Sequence, residues 1–254
     1  MPNRRLASFD DPAPILTRRL VQLLVGLFLY GTGIAMIVRA DLGSAPWDVL
    51  TQGIVRQTGL GFGLVVVVTS GIVLLLWIPL RQRPGFGTLM NALLVGPAAD
   101  LAFLAIPEGL PLWLRIVLLP AGILVVGLAS GLYIGADFGP GPRDGLMTGI
   151  HRRTGWPIWV GRTAVEVAVV LAGWLLGGVV GVGTVLFALT IGPVCGWMLP
   201  RLRIRRASER VAPADAAAPG SAGAASAAET AAPVNAPAEA STGTTATAYS
   251  SASA

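Results

Sequence analysis

A chain of 254 residues that is 54% hydrophobic and only 12% charged carries about half the charge of an ordinary soluble domain, so lipid is its main solvent. Its formal net charge of +5 does not mark a nucleic-acid binder, because the arginines stand at the ends of apolar segments rather than along one face. A lone cysteine, Cys195, and a lone histidine, His151, exclude a disulfide framework or thiolate metal site within one chain and argue against zinc chemistry and a catalytic triad.

Residues 1–17 are polar and contain proline, and Arg18 and Arg19 precede an apolar run from about Leu20 to Val38. That run is longer than the core of a secretory signal and no small-residue cleavage site follows it, so it reads as the first membrane span. Further spans are predicted at about 63–80, 87–106, 113–135, 158–177 and 179–199, each long enough to cross a hydrocarbon core about 30 Å thick. The predicted fold is therefore all-α, a polytopic transmembrane bundle of about six spans in two halves, 18–110 and 111–206.

Arginine placement orients it. With the N-terminus inside, the inner segments hold Arg4, Arg5, Arg18, Arg19, Arg81, Arg83, Arg143, Arg152, Arg153 and the arginines of 201–206, while the outer ones hold Arg39, Arg56 and Arg115. The asymmetry predicts that both termini lie in the cytoplasm, and the absence of lysine beside abundant Ala and Gly suggests a bacterial chain. Trp47, Trp77, Trp113, Trp156 and Trp197 fall near predicted span ends, where amphipathic rings prefer to sit. After Arg206 the composition shifts to Ala, Pro, Ser, Thr and Gly, and residues 207–254 read as a disordered cytoplasmic tail.

The chain repeats itself at an ungapped offset of 96 residues. Asp41-Leu-Gly-Ser-Ala-Pro46-Trp-Asp48 lies over Asp137-Phe-Gly-Pro-Gly-Pro142-Arg-Asp144; Gly87-Thr88 and Gly96-Pro97 lie over Gly183-Thr184 and Gly192-Pro193. Three spans per copy is an odd number, so the second copy enters the membrane from the opposite side. Inverted repeats are common in secondary transporters, with the substrate site between them near the midplane.

In each copy the motif Asp-(Leu/Phe)-Gly-x-x-Pro-x-Asp precedes a helix too short to span the membrane. Pro46 and Pro142 suit a first helical turn, and Asp48 and Asp144 fall in that turn, favourably placed against the helix dipole. Such helices are re-entrant halves beside a watered cavity, or interfacial helices lying flat with their aspartates capping. Arg162 and Glu166 stand four apart in the fifth span, either as a functional pair or as a structural ion pair with Arg162 reaching the interface. Asn91 in the third span can hydrogen-bond across helices. Glycines at four-residue spacing (Gly127, Gly131, Gly135; Gly173, Gly177, Gly181) indicate close helix packing and, secondarily, a homodimer face. No phosphate loop, metal cluster or nucleophile–base pair occurs, so neither an enzyme nor a cofactor is expected, and nucleic acid is not an expected partner.

These motifs resemble a known family. The runs Gly-Ser-Ala-Pro46-Trp47-Asp48, Arg56-x-Thr58-Gly59, Pro84-Gly-x-Gly-Thr88-x-x-Asn91, Arg162-x-x-x-Glu166 and Gly173-Trp174-Leu-Leu-Gly177-Gly178 are similar to those of the YczE/YyaS/YitT family of bacterial membrane proteins, and closest to the YczE branch. The resemblance covers about residues 19–201. It implies a multi-pass plasma-membrane protein and carries no substrate or site residues with it. The sequence thus leads to a small secondary transporter, its pathway running past Asp41, Asp48, Asn91, Asp137, Asp144, Arg162 and Glu166 and its partners the lipid bilayer and a small solute or ion. The alternative is a non-transporting membrane partner of a biosynthetic or regulatory complex; a lipid-handling protein with a groove open sideways to the bilayer is a third reading.

Overall fold

The computed structural model describes residues 11–204. The tail expected at 207–254 and the first ten residues lie outside them. The described residues form eight helices and no strands: α1 (Ala13–Ala40), α2 (Pro46–Thr58), α3 (Phe62–Leu76), α4 (Phe86–Ala105), α5 (Leu112–Gly135), α6 (Pro142–Thr154), α7 (Ile158–Leu175) and α8 (Val182–Leu202). Five of these, α1, α4, α5, α7 and α8, are long and apolar enough to cross a membrane; α2 and α3, bent by 117° at the break between them, reach that length and hydropathy only when taken together, as a broken span or a re-entrant loop. Helices are the expected answer for such a chain, because hydrocarbon offers no partner for an unpaired backbone group.

Backbone conformation follows the duplication. Pro46 and Pro142 open α2 and α6, and both helices are 13 residues long. Gly59 and Gly155 close them at φ 72° and 73°. The turns before them pair as well, Asp41 with Asp137 at φ 48° and 57°, and Gly43 with Gly139 at φ 111° and 116°. At the latter two positions a side chain would be strained in that backbone conformation. A Cβ on Gly43 would also lie 2.7 Å from the backbone of Gly181.

The centre of the bundle is α1 against α5, running antiparallel. Gly26 meets Ala129 and Tyr133, and its counterpart Gly122 meets Gly33 and Ile37. Small residues here bring the backbones together, which supplies dispersion where no hydrophobic drive between helices exists. The hydrogen bonds that tie the halves are exchanged one for one. Gly87 N–H donates to Phe138 C=O at 2.9 Å, and Gly183 N–H donates to Leu42 C=O at 2.7 Å. Arg19 donates to Ala136 and Asp137 carbonyls, and Arg115 to those of Ala40 and Asp41. Each repeat closes the other's turn. Around this axis α2 packs along α7, α3 along α4, and α6 against α3 and α7.

Candidate functional site

The short helices α2 and α6 are not laid flat on the bundle. Pro46, Trp47, Asp48, Val49, Thr51, Gln52 and Gly53 of α2 are buried, as are Pro142, Gly145, Leu146, Met147 and Gly149 of α6. Their N-terminal turns meet in the interior: the Arg143 guanidinium lies 5.1 Å from the centre of the Trp47 indole and 3.9 Å from Asp48 Oδ1. Trp47 and Arg143 are the same position of the two copies, so the relation between the repeats passes through this contact.

Several bonds hold these turns in place. Trp77 Nε1–H donates to Pro142 C=O at 3.0 Å and Thr88 Oγ1–H to Pro140 C=O at 2.6 Å, fixing the start of α6. Gln52 donates to Ser44 Oγ at 2.8 Å and accepts from Val179 N–H at 3.0 Å, fixing α2. Neither helix has a side-chain N-cap, so the aspartates are not spent as caps. The Asp144 carboxylate accepts from Tyr133 O–H at 2.9 Å. Asp48 is 1% exposed and its Oδ1 receives no hydrogen bond. A buried carboxylate oxygen without a donor is costly.

Beside them is a cavity of about 40 Å³ whose polar lining is Tyr30, Ser70, Asn91, Tyr133, Arg143 and Asp144. The two tyrosine rings stack edge to face at 5.8 Å. The room suits a single water-sized guest. A second, larger cleft of about 550 Å³ opens beside α2, lined among others by Arg39, Asp41, Gln52, Arg56, Asp100 and Glu108. Gln52 stands one helical turn beyond Asp48, on the same face of α2. The equivalent place in the second copy is filled: Ile204 N–H donates to Gly135 C=O, and Gln22 donates to Leu202 C=O. The cleft is therefore one-sided.

The predicted site residues separate into three groups. Asn91 and Asp144 line the central cavity, and Asp48 lies 3.9 Å from Arg143 of that same lining. Asp41 and Asp137 do not join them; they end α1 and follow α5, with Asp41 ion-paired to Arg115 at 2.9 Å and the Asp137 carbonyl held by Arg19. Arg162 and Glu166 pair at 3.0 Å on α7, with side chains 50% and 27% exposed, at the flank of the bundle rather than in the central cavity. Sequence reasoning missed Arg143, Tyr30 and Tyr133. By charge placement Arg143 reads as a topology determinant, although its place inside the duplicated motif, beside an aspartate and aligned with Trp47, is the available signal. The tyrosines offered only a polar tip in the middle of an apolar run.

Comparison with known proteins agrees with this membrane architecture. Residues 17–200 match the model described as "Family of unknown function (DUF6198)". An "Uncharacterized protein" of Haemophilus influenzae is 42% identical over 177 residues, covering 70% of this chain and 81% of that protein. The "Uncharacterized membrane protein YczE" of Bacillus subtilis is 30% identical over 179 residues, 69% of this chain and 83% of YczE. The "Uncharacterized protein YyaS" of the same organism is 26% identical over 166 residues, 64% of this chain and 83% of YyaS. No solved structure matches the chain.

Proposed function

The chain belongs to the family of unknown function DUF6198 and is similar to the membrane protein YczE and to YyaS, and from that premise we propose that it is a small secondary transporter rather than an enzyme. Its site lies where the N-termini of α2 and α6 meet, and its two repeats are inverted across a bacterial inner membrane with both termini in the cytoplasm. The observation that carries this reading is the buried Asp48, whose Oδ1 has no hydrogen bond and lies 3.9 Å from the Arg143 guanidinium, between two half-helices. A soluble ligand needs such a place: fixed charges and helix dipoles within the bilayer, sheltered from both sides.

Two carboxylates compete there for one guanidinium. A coupling proton or cation taken up by Asp48 releases Arg143 to Asp144 or to an anionic group of the substrate, and its departure restores the pair. The cleft beside Gln52 serves as the vestibule, and the arginine rule puts it on the outer face.

Flux tests the reading. Cells bearing wild-type protein, Asp48→Asn or empty vector are compared across a solute panel, with membrane abundance measured in each. A solute whose flux rises with wild type and falls to the vector level in Asp48→Asn establishes transport. No difference across the panel, with correctly inserted protein, rejects it in favour of a membrane partner of another complex.

A further inference from the structure

The larger cleft has a charge balance of its own. Of the charged residues that line it, Arg39 pairs with Glu108, and Asp41 pairs with Arg115. Two charges remain. Arg56 donates to Gly177 C=O, and Asp100 accepts from Gly63 N–H at 2.8 Å. Among the described residues neither of them is in an ion pair. One cation and one anion therefore line the same space, each held by a neutral backbone group and not paired with the other. Both are exposed, so a solute in the cleft can reach them.

The duplication separates scaffold from addition. The counterparts of Arg39, Asp100 and Glu108 are Gly135, Gly196 and Ile204, while Arg56 keeps its charge as Arg152. In the second copy Ile204 N–H closes on Gly135 C=O, backbone to backbone. In the first, long charged side chains stand at those two positions, beside an opening of about 550 Å³. A repeat can thus close without these charges, and their presence in one copy alone calls for a use beyond folding.

The remaining wall is apolar. Phe62 and Phe103 meet edge to face at 5.2 Å, and Val38 and Val55 line the cleft with them. The volume is that of a small-metabolite site. An anion drawn to Arg56 is repelled by Asp100, and a cation meets the reverse. A solute that carries both signs gains from both residues, and an apolar body on it covers the phenyl rings.

We infer that this cleft binds a zwitterionic solute of amino-acid or dipeptide size. Its carboxylate lies on Arg56, its ammonium on Asp100 and its apolar side chain against Phe62 and Phe103. This names a substrate class for the transport reading, and it rests on that reading only for passage inward, past Gln52 to Asp48.

Equilibrium binding to the purified full chain in lipid nanodiscs tests it. The zwitterions are phenylalanine and the dipeptide of two phenylalanines; phenethylamine and hydrocinnamate offer the same body with one charge each. At least one zwitterion binds, and both singly charged probes bind about tenfold more weakly or worse. Asp100→Asn and Arg56→Gln each weaken zwitterion binding about tenfold. Asp100→Asn still accepts from Gly63 N–H, so its melting temperature stays at the wild-type value. A singly charged probe that binds as tightly as the zwitterions overturns the proposal. So does the failure of both zwitterions to bind, or undiminished binding in either variant. Zwitterion binding without Asp48-dependent flux keeps the cleft site and removes the transporter; Asp48-dependent flux of another solute class, with no zwitterion bound, does the reverse.

Discussion

Arg19 and Arg115 do the same work in opposite halves of the molecule: each reaches across to the two carbonyls that end the other repeat's first helix, Ala136 and Asp137 for one, Ala40 and Asp41 for the other. A guanidinium suits this because its planar fork satisfies two acceptors at once. The two sites differ in burial. Arg19 is wholly buried and also pairs with Asp11 at 2.5 Å, while the Arg115 side chain is 26% exposed.

Arg19→Ala should therefore destabilise the bundle by on the order of 3 kcal/mol, since it strands two buried carbonyls and a carboxylate. Arg115→Ala, where water can stand in, should cost about 1 kcal/mol. Arg19→Lys should recover little, lacking the fork. Thermal unfolding in one detergent ranks the three; equal losses for both alanines would refute the argument.

Trp77 and Gly145 form a matched pair of sizes. The indole fills the place a Cβ on Gly145 would occupy, and in the other half the arrangement is reversed, with Gly173 against Val49 and Leu50. Gly145→Ala should lower stability by roughly 2 kcal/mol through overpacking. Gly71→Ala, in an open place on α3, should be neutral or slightly stabilising. Adding Trp77→Leu to Gly145→Ala should cost less than the two separate losses combined. Membrane abundance and melting temperature report both comparisons.

The contact between Asp48 and Arg143 should appear as a coupling. Alanine at either position leaves the other charge without its partner, so the double variant should be more stable than additivity predicts, by about 1 kcal/mol or more. A double-mutant cycle on unfolding in detergent measures it, and a coupling near zero would remove Arg143 from the site.

Asp100 holds α3 to α4 by accepting from Gly63 N–H. Asp100→Ala should raise amide exchange at the start of α3 and cost about 1 kcal/mol, whereas Asp100→Asn, which keeps an acceptor, should behave as wild type. Exchange confined to α7 in Asp100→Ala would contradict this role.

Much of the fold was legible because lipid leaves the chain few choices. Apolar runs of span length with few charges had to be helices, and α1, α4, α5, α7 and α8 are where those runs are. The short helices were legible from Pro46, Pro142, Gly59 and Gly155, whose backbone needs are local. The duplication was legible because equal residues impose equal turns, as the paired φ angles at Asp41 and Asp137 record.

Convergence was not legible. That Tyr30, Asn91, Tyr133, Arg143 and Asp144 share one cavity depends on how α1, α4, α5 and α6 cross, and no spacing along the chain encodes a crossing. Asp41 and Asp137 looked like site residues beside Asp48 and Asp144, yet they lie at helix ends because their carbonyls are needed by arginines 74 and 118 residues away. Arg162 and Glu166 looked like interior charges and stand instead at an open flank. The sequence by itself determined that there are two equivalent halves. Only the tertiary structure decided how closely each half packs: a close approach of two backbones needs small residues on both helices, which α3 and α4 bring together at Gly63 and Gly96, whereas Trp159, the counterpart of Gly63, is 70% exposed and α7 and α8 do not pack that way.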